Sequence, residues 1–316
     1  MSVAAASRGY ALPVAGVGLA LIGLTTASLF VGIGDQTLQL MAASRWPRTL
    51  AAILVGSGLA IAGLVMQTLA RNRFVEPATA GTAQSAALGI LLATLFWPDA
   101  PIGVKALVAC LAAMAGTSIF LLAVRRLPPT EPFLVPLVGL VYGGVVGAAV
   151  TFLAWQTDLL QYLDVWTSGE LSGVLRGRYE LLWVIASMVA LAWFAADRLT
   201  VLSLGESTAR SLGLDYTRVL QFGLLIVAAI SALSVVVVGV IPFVGLVVPA
   251  LVSRLWGDNL RSAIPIVAAS GAILVLACDI AGRLLRYPYE IPVGTVLGVV
   301  GAVAFLILAF SRRPHG

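Results

Sequence analysis

Three arginines stand where a membrane protein is least expected to keep positive charge: Arg45, Arg48 and Arg283. Each lies at the end of an apolar run that, by the alternation of runs, faces outward, against the bias that holds Lys and Arg inside. Two explanations are open. The side chains snorkel to outer-leaflet phosphates, or they receive an acidic protein docking from outside. Asp279 precedes Arg283 by one helical turn, a spacing that allows an ion pair orienting the arginine. Asp279 and Glu290 are also the first place to look for proton coupling, because ionisable groups at membrane depth are costly to keep.

Covalent and metal chemistry find little to build on. The single histidine is His315, no H-E-x-x-H occurs, and Cys110 and Cys278 fall inside apolar runs without metal-ligand partners. No Ser or Cys has an evident base, which weighs against a polytopic membrane enzyme. No G-x-x-x-x-G-K-[ST] loop is present, so any nucleotide energy is expected from another polypeptide. The arginines form no basic stripe with interleaved aromatics, so nucleic acid is not an expected partner.

The elements that would position these groups follow from composition. Hydrophobic residues make up 60% and charged residues 10%, with mean hydropathy +1.04, too little polar surface to cover a water-soluble domain. One bilayer crossing takes about 20 apolar residues. Such windows occur at 11–33, 47–70, 79–97, 104–124, 133–155, 180–196, 218–238, 241–255, 263–281 and 291–311. They lack period-2 alternation, so the expected fold is all-α: a polytopic membrane protein with about ten transmembrane helices in one bundle, a single domain over 1–316. The first window exceeds a secretory h-region in length and reads as the first membrane helix. More of the Lys and Arg residues fall on the cytoplasmic side when both termini are cytoplasmic, which sets the expected orientation.

Two patterns add detail. Gly139, Gly143 and Gly147, and again Gly294 and Gly298, form small-xxx-small steps that suit close helix packing, a pathway lining or a subunit contact. Between the sixth and seventh windows, Ser203 or Ser207 can cap a short helix that Glu206 favours at its N-terminus and Gly213 ends. The resulting amphipathic helix is either an interfacial connector or a rigid handle for a cytoplasmic partner.

Residue order then supplies a resemblance. Arg45-Trp46-Pro47-Arg48 ahead of Gly56, Gly58 and Gln67, followed by Arg71-Asn72, Pro77 and Gly81, is similar to the second-span signature of FecCD-type permeases. These are membrane subunits of ATP-binding-cassette importers for iron-siderophores, haem and cobalamin. Leu204-Gly205-Glu206 with Ala209 and Leu212-Gly213-Leu214 matches next, then Ile241-Pro242-Phe243-Val244-Gly245-Leu246-Val247-Val248-Pro249, then Asp279 to Arg283 and Glu290-Ile291-Pro292-Val293-Gly294. Arg73-Phe74 and Ala250 depart from the family pattern.

The resemblance implies a subunit of the cell inner membrane, working by alternating access beside a second permease subunit, identical or not. It implies two cytoplasmic ATPase subunits, which hold ATP and Mg, acting on a coupling helix of Leu204, Gly205, Glu206, Ala209, Leu212 and Gly213. It also implies a periplasmic or lipid-anchored substrate-binding protein whose acidic knobs meet Arg45, Arg48 and Arg283. No cofactor is expected on this chain. The segments 252–261 and 286–290 resemble ferric siderophore permeases of catecholate or mixed type. A proton-coupled secondary transporter is the alternative.

Overall fold

The computed structural model describes residues 3–31, 41–128, 131, 133–257 and 259–310, and every regular element among them is helical. In order these are α1 (Val3–Phe30), α2 (Trp46–Ala70), α3 (Thr82–Phe96), α4 (Ile102–Val124), α5 (Leu134–Gln156), α6 (Leu160–Thr167) and α7 (Trp183–Phe194). After them come α8 (Ala196–Ser203), α9 (Glu206–Ser211), α10 (Tyr216–Val237), α11 (Val244–Trp256), α12 (Leu260–Leu284) and α13 (Val293–Phe310). A wide turn, Met41–Arg45, leads into α2, and a tight one, Tyr179–Leu182, into α7.

Every apolar window read from the sequence holds a helix. By length and composition, 5 described elements can cross a membrane: Met41–Ala70, Ile102–Val124, Leu134–Gln156, Tyr216–Val237 and Leu260–Leu284. The pair Tyr179–Phe194 and Ala196–Ser203, bent by 64°, makes a sixth if it is one span. Residues 1–2 and 311–316, on which the expected placement of the termini falls, lie outside the described residues.

α2 is the axis of the bundle. It packs against α7, α10, α11 and α12, and Ala51, Ala52, Val55, Ala60, Ile61, Ala62, Val65 and Met66 have no exposure at all. A helix apolar on every side belongs inside other helices. Lipid tails compete with side chains for apolar contact, so helices here associate through close backbone approach at small residues. A Cβ added to Gly56 would lie 2.5 Å from the Gly271 carbonyl oxygen on α12, and one added to Gly63 would lie 2.0 Å from the Gly245 carbonyl oxygen on α11. At both places α2 meets a neighbour backbone to backbone.

α11 is shorter than its sequence window suggests. Its 13 residues span about 20 Å at 1.5 Å each, well under a bilayer core of about 30 Å. The chain leaves α10 at Val237, turns through Gly239 at φ 95° and starts α11 only after Phe243, itself left-handed at φ 68°. Pro242 has no N–H to continue a helix ladder. The break is stitched to neighbouring turns instead: Val240 N–H donates to the Trp166 carbonyl at 3.0 Å and Glu170 N–H to the Val238 carbonyl at 2.7 Å.

Gly63→Ala is expected to lower the stability of the detergent-solubilised protein by about 1–3 kcal/mol, the usual cost of overpacking. Gly144→Ala, with nothing within 4 Å of the added carbon, is expected to leave the thermal midpoint unchanged in the same melt.

Candidate functional site

At the start of α2, the sequence-selected arginines belong to one ionic cluster. Arg48 Nη2 and Nε reach Asp279 Oδ1 at 2.7 and 3.1 Å, and Arg48 Nη1 reaches Glu290 Oε2 at 2.7 Å. Arg283 Nη2 pairs with the other Asp279 oxygen at 2.8 Å, so the expected one-turn pair is present. Arg283 also donates to the Ser28 carbonyl at 2.9 Å and the Ser28 hydroxyl at 2.9 Å, and Arg45 Nη1 donates to the Val31 carbonyl at 2.6 Å. The cluster therefore ties the end of α1 to α2 and α12.

Exposure separates the three arginines. Arg283 and Asp279 are each 3% exposed, the Arg48 side chain is 11% exposed, and Arg45 is half-buried. Arg283 is thus an interior residue here, and the groups that face outward at this end are Arg176, Arg178 and Arg286. Arg176 is placed by its N–H, which donates to the Ala43 carbonyl at 3.2 Å.

At the other end of α2, Arg71 closes the helix in a left-handed conformation, φ 49°. Its Nη1 would lie 3.1 Å from a Cβ on Gly205, the residue just before α9. α9 is the short helix expected from the sequence, with a different cap. Gly205 at φ 105° occupies the N-cap, while the Ser203 hydroxyl donates backward to the Thr200 carbonyl at 2.6 Å. The chain reverses too sharply there for a residue with a Cβ. Gly213 ends the helix at φ 78°, with N–H bonds from Gly213 to Arg210 and from Leu214 to Ala209, each 2.9 Å. Ala209 is fully buried as the anchor, whereas Leu204 and Leu212 are 59% and 64% exposed. Glu206 pairs with Arg210 at 2.8 Å on the exposed face.

The glycine steps are placed unequally. A Cβ on Gly139 would meet the Thr79 carbonyl at 2.6 Å, and one on Gly294 the Ser168 carbonyl at 2.6 Å, so both are tight crossings. Gly143 and Gly147 make ordinary contacts at 3.4 and 3.7 Å, and nothing lies within 4 Å of Gly298.

Glu76 is the residue that sequence reasoning passed over. The turn between α2 and α3 folds back into the bundle, burying Val75 at 1% and Glu76 at 2% exposure. The Glu76 carboxylate accepts from Phe243 N–H at 2.9 Å, and the N–H groups of Gly245 and Leu246 face it as well. A helix that starts inside an apolar bundle has N–H groups that no water reaches, and a carboxylate at that end satisfies them and complements the dipole. The signal was available in Val75-Glu76-Pro77, an acidic residue between apolar windows.

Asp279→Ala leaves Arg48 and Arg283 without their shared buried counter-charge and is expected to cost about 3–5 kcal/mol, read as loss of monodisperse protein or a lower thermal midpoint. Glu290→Ala removes a carboxylate whose side chain is 39% exposed and is expected to cost under about 1 kcal/mol in the same assay.

Comparison with known proteins finds membrane permeases. The chain is 40% identical over 306 residues to the petrobactin import system permease protein YclN of Bacillus subtilis (strain 168), covering 93% of this chain and 97% of that one. It is 38% identical over 299 residues to the ferric-anguibactin transport system permease protein FatD of Vibrio anguillarum, covering 91% and 95%. Its fold is similar to a solved structure described as a metal-chelate type ABC transporter in an inward-facing conformation, with TM-score 0.80, 26% identity and coverage of 95% of this chain and 99% of that one. The FecCD transport family model matches residues 9–311. A central apolar helix with a buried ionic cluster at one end and a short exposed helix at the other is here the framework of a membrane permease, and the chain belongs to the FecCD transport family.

Proposed function

We propose that this chain is the permease subunit of a binding-protein-dependent importer that moves a ferric siderophore, of catecholate or mixed type, across the inner membrane by alternating access. The single observation that carries the reading is similarity over nearly the whole chain to permeases named for petrobactin and for ferric anguibactin. The chain is proposed to act as one domain of about ten membrane helices, paired with a second permease subunit. Gly298, which this chain leaves uncovered, suits the pathway or that subunit contact.

Energy is proposed to come from two cytoplasmic ATPase subunits carrying ATP and Mg, acting on α9 through the exposed Leu204 and Leu212. A short helix anchored by one buried alanine and held by glycines at both ends moves as a rigid piece. Arg71, against Gly205, links that piece to α2. At the opposite end, a substrate-binding protein is proposed to dock through carboxylates on the basic rim of Arg45, Arg48 and Arg286, while Arg283 holds α1 and α12 behind them.

Uptake of the ferric chelate by vesicles holding the assembled transporter and its binding protein tests both contacts. Arg45→Glu with Arg286→Glu is expected to lower uptake roughly tenfold or more, equivalent to about 1.4 kcal/mol of lost association, with normal membrane insertion. Unchanged uptake would overturn the docking assignment. Leu204→Asp with Leu212→Asp is expected to abolish uptake and ATPase co-purification while the permease still inserts; retained co-purification and transport would refute the coupling role of α9.

A further inference from the structure

A groove of about 460 Å³ opens between the α7–α8 elbow and the first two turns of α10. Its lining is divided by polarity. Leu191, Phe194, Val219 and Phe222 form an apolar trough, and Arg198 and Arg218 stand with them in the first turns of α8 and α10. The trough is continuous with the outer surface of the bundle, since Phe194 is 72% and Leu191 38% exposed. The lining residues come from α7, α8, the junction between them and α10, and α7 and α8 meet there at a 64° bend.

The charges around the groove do not cancel. Arg198 makes no hydrogen bond or ion pair among the described residues. Arg218 Nε meets Asp215 at 2.8 Å, but the two side chains are 85% and 52% exposed, a setting in which a pair holds little energy and leaves the other guanidinium nitrogens available. The neighbouring carboxylate, Asp197, is taken by Arg261 at 2.6 Å, and that guanidinium also lies 5.4 Å above the Trp193 ring. Arg125 adds a further positive charge 5.9 Å over the Tyr216 ring, beside the start of α10.

An apolar trough closed by guanidinium groups, where apolar helices end, is complementary to a lipid with an anionic head. Guanidinium forks bind phosphate oxygens in pairs, and the trough takes an acyl chain. We propose that this groove is a binding site for an anionic phospholipid of the phosphatidylglycerol type, its phosphodiester held by Arg198 and Arg218 and one acyl chain lying along Phe194 and Phe222. A choline headgroup carries the same phosphate together with a cation that Arg198 repels, so net headgroup charge decides occupancy.

Native mass spectrometry of the full chain, released from micelles holding equimolar phosphatidylglycerol and phosphatidylcholine with identical acyl chains, tests the site. Bound phosphatidylglycerol is expected to exceed phosphatidylcholine by at least about fivefold, the contribution of one arginine near an anionic headgroup. Arg198→Gln with Arg218→Gln is expected to bring the ratio close to one, while Arg176→Gln with Arg178→Gln at the opposite end leaves it high. Equal occupancy in the unmodified protein, a preference that survives in the Arg198/Arg218 variant, or an equal fall in the Arg176/Arg178 control would each overturn the proposal.

Discussion

Close backbone approach around α2 is the constraint on which the remaining structure depends. With apolar surface available in lipid as well as in protein, a helix gains from a neighbour mainly through contact density and hydrogen bonds. Gly56 against Gly271 and Gly63 against Gly245 provide that contact. They hold α12 and α11 against one helix whose buried residues are mostly Ala, Val, Ile or Gly. Once those crossings are set, the start of α2 must lie beside Asp279 and its end beside the turn that carries Glu76.

Both places bury charge, and the two are solved differently. Asp279 lies between two guanidiniums, so the arginines cross-link α1, α2 and α12 through one carboxylate. Such a cluster is poor evidence for added stability, because desolvation offsets most of the attraction, but it is unforgiving of the loss of one member. Glu76 meets backbone N–H groups instead of a basic side chain, which lets α11 begin inside the bundle. The left-handed Phe243 at that start is accommodated by Gly301, where an added Cβ would lie 2.3 Å from Phe243 Cβ.

In the proposed transport reading, α2 joins the two ends physically. Arg48 stands in its first turn and Arg71 at its C-cap, with Gln67 holding the Gly245 carbonyl at 3.1 Å between them. A displacement of α9 would be felt first at Arg71, then at the re-entrant turn and the start of α11. α12, 25 residues long like α2, runs beside it from the Arg261–Asp197 pair to Asp279 and Arg283.

Much was legible in residue order. Apolar windows located the long helices of the bundle, though not α6 at Leu160–Thr167 or α8 at Ala196–Ser203; Gly213 marked the end of α9, and the one-turn spacing of Asp279 and Arg283 announced their pair, because these are local properties of helix geometry and composition. Burial was not legible: Arg283 looks like a surface arginine until Ser28 and Val31 of a distant helix end are seen to close over it. The short reach of α11, the capping role of Glu76 and the matching of Gly63 with Gly245 are likewise decisions of the tertiary structure. The sequence by itself determined which segments are helical and apolar, since that depends on neighbours along the chain. Which glycine meets which, and which charges face water, depends on contacts between residues more than 150 positions apart, such as Glu76 with Phe243 at separation 167 and Arg48 with Asp279 at 231, and only the folded bundle brings those together.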